Sequence, residues 1–491
     1  MMIITIIIII IRSNPDVFFN HTNDLRKFRD EYKNYKWTYP YSSNISSDYI
    51  WPPVKINKKI KYTNNTRIRI GYLSASIKSK ALAFLIQDLI RFHDRSRFEI
   101  HLFSTTGPDR DDFMKYTMKG VDWRKKIIDS AEYYHDCSGM REAEVARLIY
   151  SKKIAILCNW DGYAHNGVRM AKIFPLQSAP IQVNFQEYLG SLGADHIQYI
   201  VTDKIVSPVT SERAHVEKFI WVPPCFFVNS MAYQQSFGLH HPTLELDEDD
   251  NPQVNLCSTE PARRPLLSKS NAFVYCNFNK HLKFSPQVFD KWLEALDETT
   301  NEDNDSYLCL LEYPRDSVDN ILTYVKRTNK GKWKHLKDKI RFLPFIGNPY
   351  EHQKRLVQQC SAFLDSTVYN SHTTAVDALW GAVPLVTLLE AKDMSARVGA
   401  SMLHTLGMPE LVATDIDSYK EISVKLASNK TFFDDIRSRL VAAADSTKDP
   451  NQRNNPLWDM ARYVHYLEKG WEEAWHNHIL GYPTKHVDVK E

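Results

Sequence analysis

Apolar runs of strand length alternate with amphipathic stretches in two separate blocks of this chain, and that alternation limits the fold more than any other feature. In the first block RIRIGYLS, FEIHLFS and IAILCNW read as strands, and FLIQDLIRF and EAEVARLIY as helices. In the second, FVYCNF, YLCLLEY, IRFLPF, SAFLD and LVTLL read as strands, with helices at QVFDKWLEAL, VDNILTYVKR and EHQKRLVQQ between them. Strands alternating with helices predict a parallel, doubly wound sheet. Asn229 to Asn271 interrupts the rhythm with LELDEDDNP and STEPARRPLLSKS, a linker or surface insertion without periodicity. The last part is helical, with YKEISVKLAS, FFDDIRSRLVAAA and a long segment from about Asn455 to Trp475. The expectation is an α/β protein of two Rossmann-like lobes with a cleft between them and a C-terminal helical tail. Its expected divisions are an N-terminal extension, partly disordered, over 1–66, with one helix near Asp24 to Tyr35; a first lobe over 67–228; the linker over 229–271; a second lobe over 272–476; and a tail over 477–491.

The totals exclude several classes. A chain of 491 residues is long enough for about three domains, and no helical repeat of about 34 residues runs through it. A net charge of +3 gives no basic field for nucleic acid or an anionic membrane. The isoleucine run MMIITIIIIII is too short to span a bilayer as a helix and lacks the basic start and cleavage site of a secretory signal. No membrane association is expected. Seven dispersed cysteines with no CxxC suggest reduced thiols, hence a cytoplasmic or nuclear protein.

The candidate chemistry sits at strand ends, where ligands of doubly wound sheets bind. In YNSHTTAVDALWGAVPLVT, His372, Thr373 and Thr374 open a helix soon after the strand ending at Asp365. The loose N–H groups and dipole of such a helix start favour an anion, such as a phosphate; alternatively Ser371 or Thr373 merely caps the helix. Asp377, a turn later, is within reach of a hydroxyl-bearing group such as a ribose. In CNFNKHLKF, Lys280 and Lys283 project from the loop beyond another strand, and a lysine on a diphosphate removes the need for a metal. His352 and Arg355 begin a third helix, after IRFLPF, where a histidine can stack on a base and an arginine can hold a ring or phosphate. Asp-x-Asp pairs at Asp109/Asp111, Asp247/Asp249 and Asp303/Asp305 lie in polar loops, and Asp415/Asp417 reads as a helix cap, so no metal is expected. With 16 glycines and no Walker loop, GxGxxG or serine nucleophile elbow, the site is built from side chains and helix ends.

Six stretches in order, RIRIGYLS, NWDGYAHNGVRMAKIFPLQSAPIQVNF, YIVTD, VYCNFNKHLKFSP, NSHTTAVDALWGAVPLVT and SARVGASML, resemble the protein O-GlcNAc transferases over roughly Arg67 to Trp475. The related plant-type protein O-fucosyltransferases have a Thr-rich string with Glu in place of HTTAVD and lack the CNFN form. The resemblance implies a GT-B, inverting, metal-independent glycosyltransferase that needs no cofactor. It would move N-acetylglucosamine from UDP-GlcNAc to Ser/Thr hydroxyls of intracellular proteins. Lys283 then corresponds to the lysine that neutralises the diphosphate, and His352 and Arg355 to residues of the uracil pocket. His372, Thr373 and Thr374 correspond to the phosphate- and sugar-contacting helix start, and Asp377 to the ribose-binding aspartate.

Departures from the family pattern gather in the first lobe. Lys80 and Phe84, in KSKALAF, replace two histidines, and Arg147-Leu148-Ile149-Tyr150 replaces Asp-Arg-Ile-His. Lys280 and Leu282 replace the Gln and Tyr flanking the diphosphate lysine, and QEYLGSLG puts Glu187 where a small residue lines the sugar site. Lys80, Lys280 and Glu187 are therefore candidates for the acceptor or sugar side. The TPR repeats that precede the family's catalytic region have no counterpart here. Two readings remain: an active, divergent transferase, and a non-catalytic UDP-sugar-binding or scaffold protein on the same fold. A transferase of another donor or acceptor class is a more remote third.

Overall fold

The computed structural model describes residues 67–78, 80–107, 123–164, 167–233, 272–301, 305–444 and 455–491. The expected helix near Asp24 to Tyr35, the isoleucine run, Asp109/Asp111, Asp247/Asp249, Asp303 and most of the linker lie outside these residues. The first lobe runs β1 (Ile68–Ser74), α1 (Ala81–Ile86), β2 (Phe98–Ser104), α2 (Trp123–Ser130), β3 (Tyr133–Asp136), α3 (Glu142–Ser151), β4 (Ile156–Asn159), α4 (Gly167–Ile173), β5 (Ile181–Asn184), β6 (Tyr199–Thr202) and β7 (Lys218–Trp221). The second runs β8 (Phe273–Asn277), α5 (Pro286–Thr299), β9 (Ser306–Leu311), α6 (Asp316–Arg327), β10 (Ile340–Leu343), α7 (Pro349–Gln359), β11 (Ala362–Leu364), α8 (His372–Trp380), β12 (Leu385–Leu388), α9 (Val398–Thr405) and β13 (Val412–Ala413). Then come α10 (Ile416–Ser428), α11 (Lys430–Ala443), α12 (Met460–Ile479) and a last strand, β14 (Val487–Asp488).

Both sheets are parallel, as the alternation predicts. Their orders are β14-β7-β6-β5-β4-β1-β2-β3 and β10-β9-β8-β11-β12-β13. Each reverses direction once near its centre, between β1 and β4 in the first lobe and between β8 and β11 in the second. Crossover helices lie on opposite faces on the two sides of such a reversal, so a crevice opens beyond the strand ends. Lys283 and the start of α8 follow β8 and β11, and Asp161 and Glu187 follow β4 and β5, the strands that flank these two crevices.

The chain's last segment differs from expectation. Residues 477–491 are no tail, because β14 adds to the first lobe's sheet, pairing Val487 with Ile220 and Asp488 with Trp221. The helix before it follows the same lobe. Glu468 on α12 accepts hydrogen bonds from His93 Nδ1 (2.9 Å) and the Asp94 amide (2.8 Å). Gly470 lets this helix lie against β7, where an added Cβ would stand 2.6 Å from Ile220 Cγ2. Covering the otherwise open edge of β7 gives β14 its place. The expected linker also starts later than Asn229. Residues 229–233 are buried, with Ser230 Oγ donating to the Leu85 carbonyl (2.8 Å) and Asn229 Nδ2 to that of Leu457 (2.8 Å).

Two further expectations change. FLIQDLIRF is α-helical to Ile86, turns at Gln87, whose side chain donates to the Phe84 carbonyl (2.9 Å), and ends as a 3-10 helix over Ile90–Phe92. Cys276 on β8 and Cys360 after α7 form a disulfide across 84 residues, because β11, entered just after Cys360, pairs with β8. Cys137, Cys158 and Cys225 are free and buried, and Cys309 is buried as well. Among the described residues, no helix is long and apolar enough to cross a membrane.

Two of the sequence stretches meet where the lobes join. Asp203, ending YIVTD, accepts from Ser401 Oγ (2.6 Å), and Arg397 Nε donates to the Ile205 carbonyl (2.8 Å). Trp471 of α12 is fully buried in the first lobe beside Phe185. Trp471→Ala is expected to lower unfolding stability by about 3–5 kcal/mol, the usual effect of emptying a buried indole site. Chemical denaturation followed by circular dichroism measures this, and a near-neutral result would mean that α12 does not complete the lobe.

Candidate active site

Asn277 closes β8 and ties it to its neighbour, its Nδ2 donating to the Leu364 carbonyl (2.7 Å) at the end of β11. Its Oδ1 accepts the Asn279 amide (3.0 Å), and Asn279 Nδ2 donates to Ser371 Oγ (2.6 Å). Asp365, next after β11, is wholly buried. Its Oδ1 accepts from the amides of Ser366 and Ser371 (both 2.8 Å) and from Ser371 Oγ (2.6 Å), while Oδ2 accepts from Thr387 Oγ1 (2.8 Å). Burial raises the pKa of this carboxyl, and the bonds from Ser371 and Thr387 and the charge of Lys283 oppose the shift. An added Cβ on Gly399 would stand 2.6 Å from Asp365 Oδ2, so only glycine lets α9 come this close.

This wiring overturns the capping alternative. Ser371 spends its hydroxyl on Asp365, and no side chain caps α8. The partly buried Thr373 and Thr374 stand at its first turn, where helix N–H groups lack partners within the helix. His372 is buried there, its Nε2 donating to the Ser395 carbonyl (2.8 Å). Burial and then the charge of Lys283 push its pKa down to about 3, so its imidazole is neutral.

Lys283 reaches the same place from the β8 loop. Its Nζ donates to the Asn370 carbonyl (2.9 Å) and lies 4.5 Å from the Tyr369 ring centre. Burial pushes the ammonium pKa down to about 8, against the attraction of Asp365 and with added repulsion from Lys280. Lys280 itself is exposed, over the Tyr313 ring at 5.1 Å.

The third candidate group lies along α7. Arg355 is only 1% exposed, its guanidinium 4.3 Å over the Phe278 ring. It donates to the Pro344 carbonyl (2.6 Å) and to His352 Nδ1 (3.1 Å). That bond leaves His352 Nε2 as the protonated nitrogen, 3.8 Å from Asp377 Oδ2. Burial and the Arg355 charge hold His352 down to about 3. Asp377 accepts from Gln353 Nε2 (3.2 Å), yet burial pushes its carboxyl up to about 7. The structure thus brings Lys283, His372, Thr373 and Thr374 together, with His352, Arg355 and Asp377 beside them.

The first lobe contributes its own crevice, between β1 and β4. Asp161 Oδ1 accepts from Ser74 Oγ (3.1 Å) and Oδ2 from the Ala75 amide (2.6 Å). Glu187 Oε2 accepts from Ser76 Oγ (3.0 Å). Gly162 has φ +55°, and an added Cβ would overlap Tyr188, which lets the Glu187–Tyr188 turn lie directly on the end of β4. Burial, and next the Glu187 carboxylate, raise the pKa of Asp161. Across the cleft, burial and then Glu187 and Tyr188 push the Tyr369 hydroxyl up to about 12. Of the other candidates, Lys80 stands just before α1 in extended conformation and does not cap it. Phe84 is buried against Trp123, 5.1 Å between ring centres, and presents nothing polar. Asp415 caps α10, as expected, and the helix begins at Ile416, three residues earlier than Tyr419. Among the described residues, no three His, Cys, Asp or Glu side chains are grouped to hold a metal ion. Sequence reasoning missed Asp365, Asn279 and Asp161. Their common signal is a polar residue one or two places beyond a buried strand.

Comparison with known proteins gives this geometry a context. The sequence pattern described as glycosyl transferase family 41 matches residues 49–255 and 247–465. A probable UDP-N-acetylglucosamine–peptide N-acetylglucosaminyltransferase, SEC, of Arabidopsis thaliana is 30% identical over 426 residues, covering 87% of this chain and 39% of the relative. The UDP-N-acetylglucosamine–peptide N-acetylglucosaminyltransferase of Caenorhabditis elegans is 25% identical over 515 residues, covering 86% of this chain and 42% of its own length. The chain thus spans about two fifths of these curated relatives. Among solved structures, a mutant O-GlcNAc transferase of Thermobaculum terrenum superposes with a TM-score of 0.66 at 20% identity, over 88% of this chain and 71% of that one. That match bears on the fold, and its two-lobed GT-B arrangement is the one described above.

The buried carboxyl of Asp377 makes a pH prediction. Its folded pKa, about 7, lies above the ordinary carboxylate value, so the folded state binds the extra proton and stability falls as pH rises from about 4 to 7. Asp377→Asn, which cannot ionise, is expected to gain on the wild type across that window. Ligand-free melting at pH 4.5 and 7.5 checks this, and an unchanged difference between the two would show that Asp377 is not held protonated.

Proposed function

The chain belongs to glycosyl transferase family 41, and from that premise we propose that it transfers N-acetylglucosamine from UDP-GlcNAc to Ser/Thr hydroxyls of proteins, with inversion and without a metal. The observation that carries this reading is the partly buried Lys283 ammonium beside the uncapped start of α8. One positive charge and a set of open N–H groups, at the crevice of a doubly wound sheet, suit the diphosphate of a nucleotide sugar. His352 and Arg355 would line the uracil, and Asp377, a turn into α8, would accept from a ribose hydroxyl. His372, Thr373 and Thr374 would hold phosphate and sugar oxygens.

In a single displacement, negative charge builds on the leaving diphosphate as its bond to the sugar breaks. Lys283 would leave the Asn370 carbonyl and stabilise that charge, the task a metal performs elsewhere. His372 and His352, held neutral, would act as hydrogen-bonding groups rather than as acids. The acceptor hydroxyl enters opposite the leaving group, from the side of the first lobe. No nucleic acid takes part in this reading, and the cytoplasm or nucleus is its setting.

One observation favours the second reading, a UDP-sugar-binding protein without turnover. Phe84 is buried and apolar, and Lys80 stands at the other of the two positions that carry histidines in the family pattern. Two measurements separate the readings. UDP is expected to raise the melting temperature, and radiolabelled GlcNAc to pass from UDP-GlcNAc to a protein pool while GDP-fucose donates nothing. Stabilisation by UDP with neither hydrolysis nor transfer would favour the binding protein; no stabilisation would remove both readings. Lys283→Ala is expected to keep the fold and lower transfer by about 10²–10³-fold, the scale of a lost group that stabilises transition-state charge.

A further inference from the structure

We propose that Glu187 is the base that takes the proton of the acceptor hydroxyl, with Asp161 as the residue that positions it. This rests on the transferase reading above.

Three placements lead to it. First, Lys283 and the start of α8 lie beyond β8 and β11, Asp161 and Glu187 lie beyond the ends of β4 and β5, and the lobes that carry them are joined by the bonds of Ser401 to Asp203 and Arg397 to Ile205. A hydroxyl that approaches opposite the diphosphate therefore comes from the Glu187 side. Second, Glu187 faces the cleft. It is partly exposed, and its charge reaches the Tyr369 hydroxyl, whose ring lies 4.5 Å from Lys283 Nζ and 4.6 Å from the His372 ring centre. Third, the pair is built into the sheet end rather than left on a mobile surface. Asp161 is fully buried with each oxygen held, by Ser74 Oγ and the Ala75 amide, and Glu187 is anchored by Ser76 Oγ. Asp161 keeps its proton to higher pH than an ordinary carboxyl, because of burial and then of Glu187. It can thus donate to Glu187 and hold it.

The other first-lobe groups fit less well. Asp161 has no exposed surface to meet a substrate, and Phe84 has no proton-accepting atom. Lys80 is a cation, which accepts a proton only after losing one. The titratable groups around Glu187 include Asp161 behind it, Tyr188 beside it and Tyr369 across the cleft. In the step itself the acceptor oxygen forms its bond to the anomeric carbon. The carbon–oxygen bond to the diphosphate breaks, with its electron pair leaving on UDP, and the hydroxyl proton passes to the Glu187 carboxylate. Release of product to solvent returns that proton to water.

The test compares wild type, Glu187→Gln and Glu187→Ala in the full chain, with UDP-GlcNAc as donor and a protein pool as acceptor. Melting with and without UDP establishes that each variant folds and binds nucleotide. Glu187→Gln is expected to lower kcat by about 100-fold or more, with KM for UDP-GlcNAc little changed. Formate, a small carboxylate able to occupy the space left in Glu187→Ala, is expected to restore part of the rate. A raised KM with unchanged kcat would make Glu187 a sugar-binding residue and overturn the proposal. So would a Glu187→Gln enzyme as active as an active wild type, and in that case the transferase reading stands. A wild type that binds UDP and transfers nothing would instead overturn the transferase reading, and this proposal with it.

Discussion

The cleft depends on one buried carboxylate, Asp365. Hydrogen bonds to a charged acceptor contribute about 1.5–3 kcal/mol each, and this side chain collects four, from two amides and two hydroxyls. Together they oppose the cost of burying the charge, although burial still leaves the carboxyl pKa raised, and they fix the loop from Ser366 to Ser371. They also decide what the next helix can do. Ser371 has the right side chain and place to cap α8, yet its hydroxyl is committed to Asp365. The helix start is left open to an anion because a neighbouring residue outcompeted it for the cap. Asn370, fixed in the same loop by bonds to the Ser366 carbonyl and the Gly399 amide, then supplies the carbonyl on which Lys283 rests.

Two crevices make a site only if the lobes face one another, and separate devices hold them so. Near the hinge, Ser401 and Arg397 of the second lobe bond to Asp203 and Ile205 of the first. Farther away, α12 leaves the second lobe and returns to the first, where Glu468 is buried beside His93 and Asp94. The chain therefore crosses between lobes twice. A first lobe cut at its apparent boundary near residue 228 would lose both Trp471 and the strand that covers β7.

What could be read in the sequence follows from what is local. Strands and helices were legible because burial on a doubly wound sheet imposes its period directly, and the placement of Lys283, His372 and Asp377 near one another because each follows a strand end of the same sheet. The failures are long-range. Nothing near Ser371 reveals that Asp365 takes its hydroxyl. The pairing of Cys276 with Cys360 depends on β11 lying beside β8, across 84 residues. β14 is too short to announce itself and exists because an open edge waits for it. Asp161 and Glu187 are 26 positions apart in the chain by their numbers, and only the adjacency of β4 and β5 makes them a pair.

The electrostatics of the second lobe explain why proton transfer belongs to the first. His352 and His372 are both held down to about 3, the one by burial and Arg355, the other by burial and Lys283. At neutral pH both imidazoles are neutral, and pKa values this low make them poor proton acceptors. Each has also committed a ring nitrogen, His372 as donor to Ser395 and His352 as acceptor from Arg355. In the proposed reaction Lys283 would face the diphosphate, and an arriving anion would raise its pKa from about 8, fixing it as an ammonium rather than freeing it as a base. Asp377 lies on the far side of α8's first turn, next to Gln353 and His352. His352, His372 and Lys283, the groups proposed to meet the leaving group, are thus poorly suited to accept a proton. A carboxylate across the cleft, held by a neighbour that keeps its own proton, has the charge they lack.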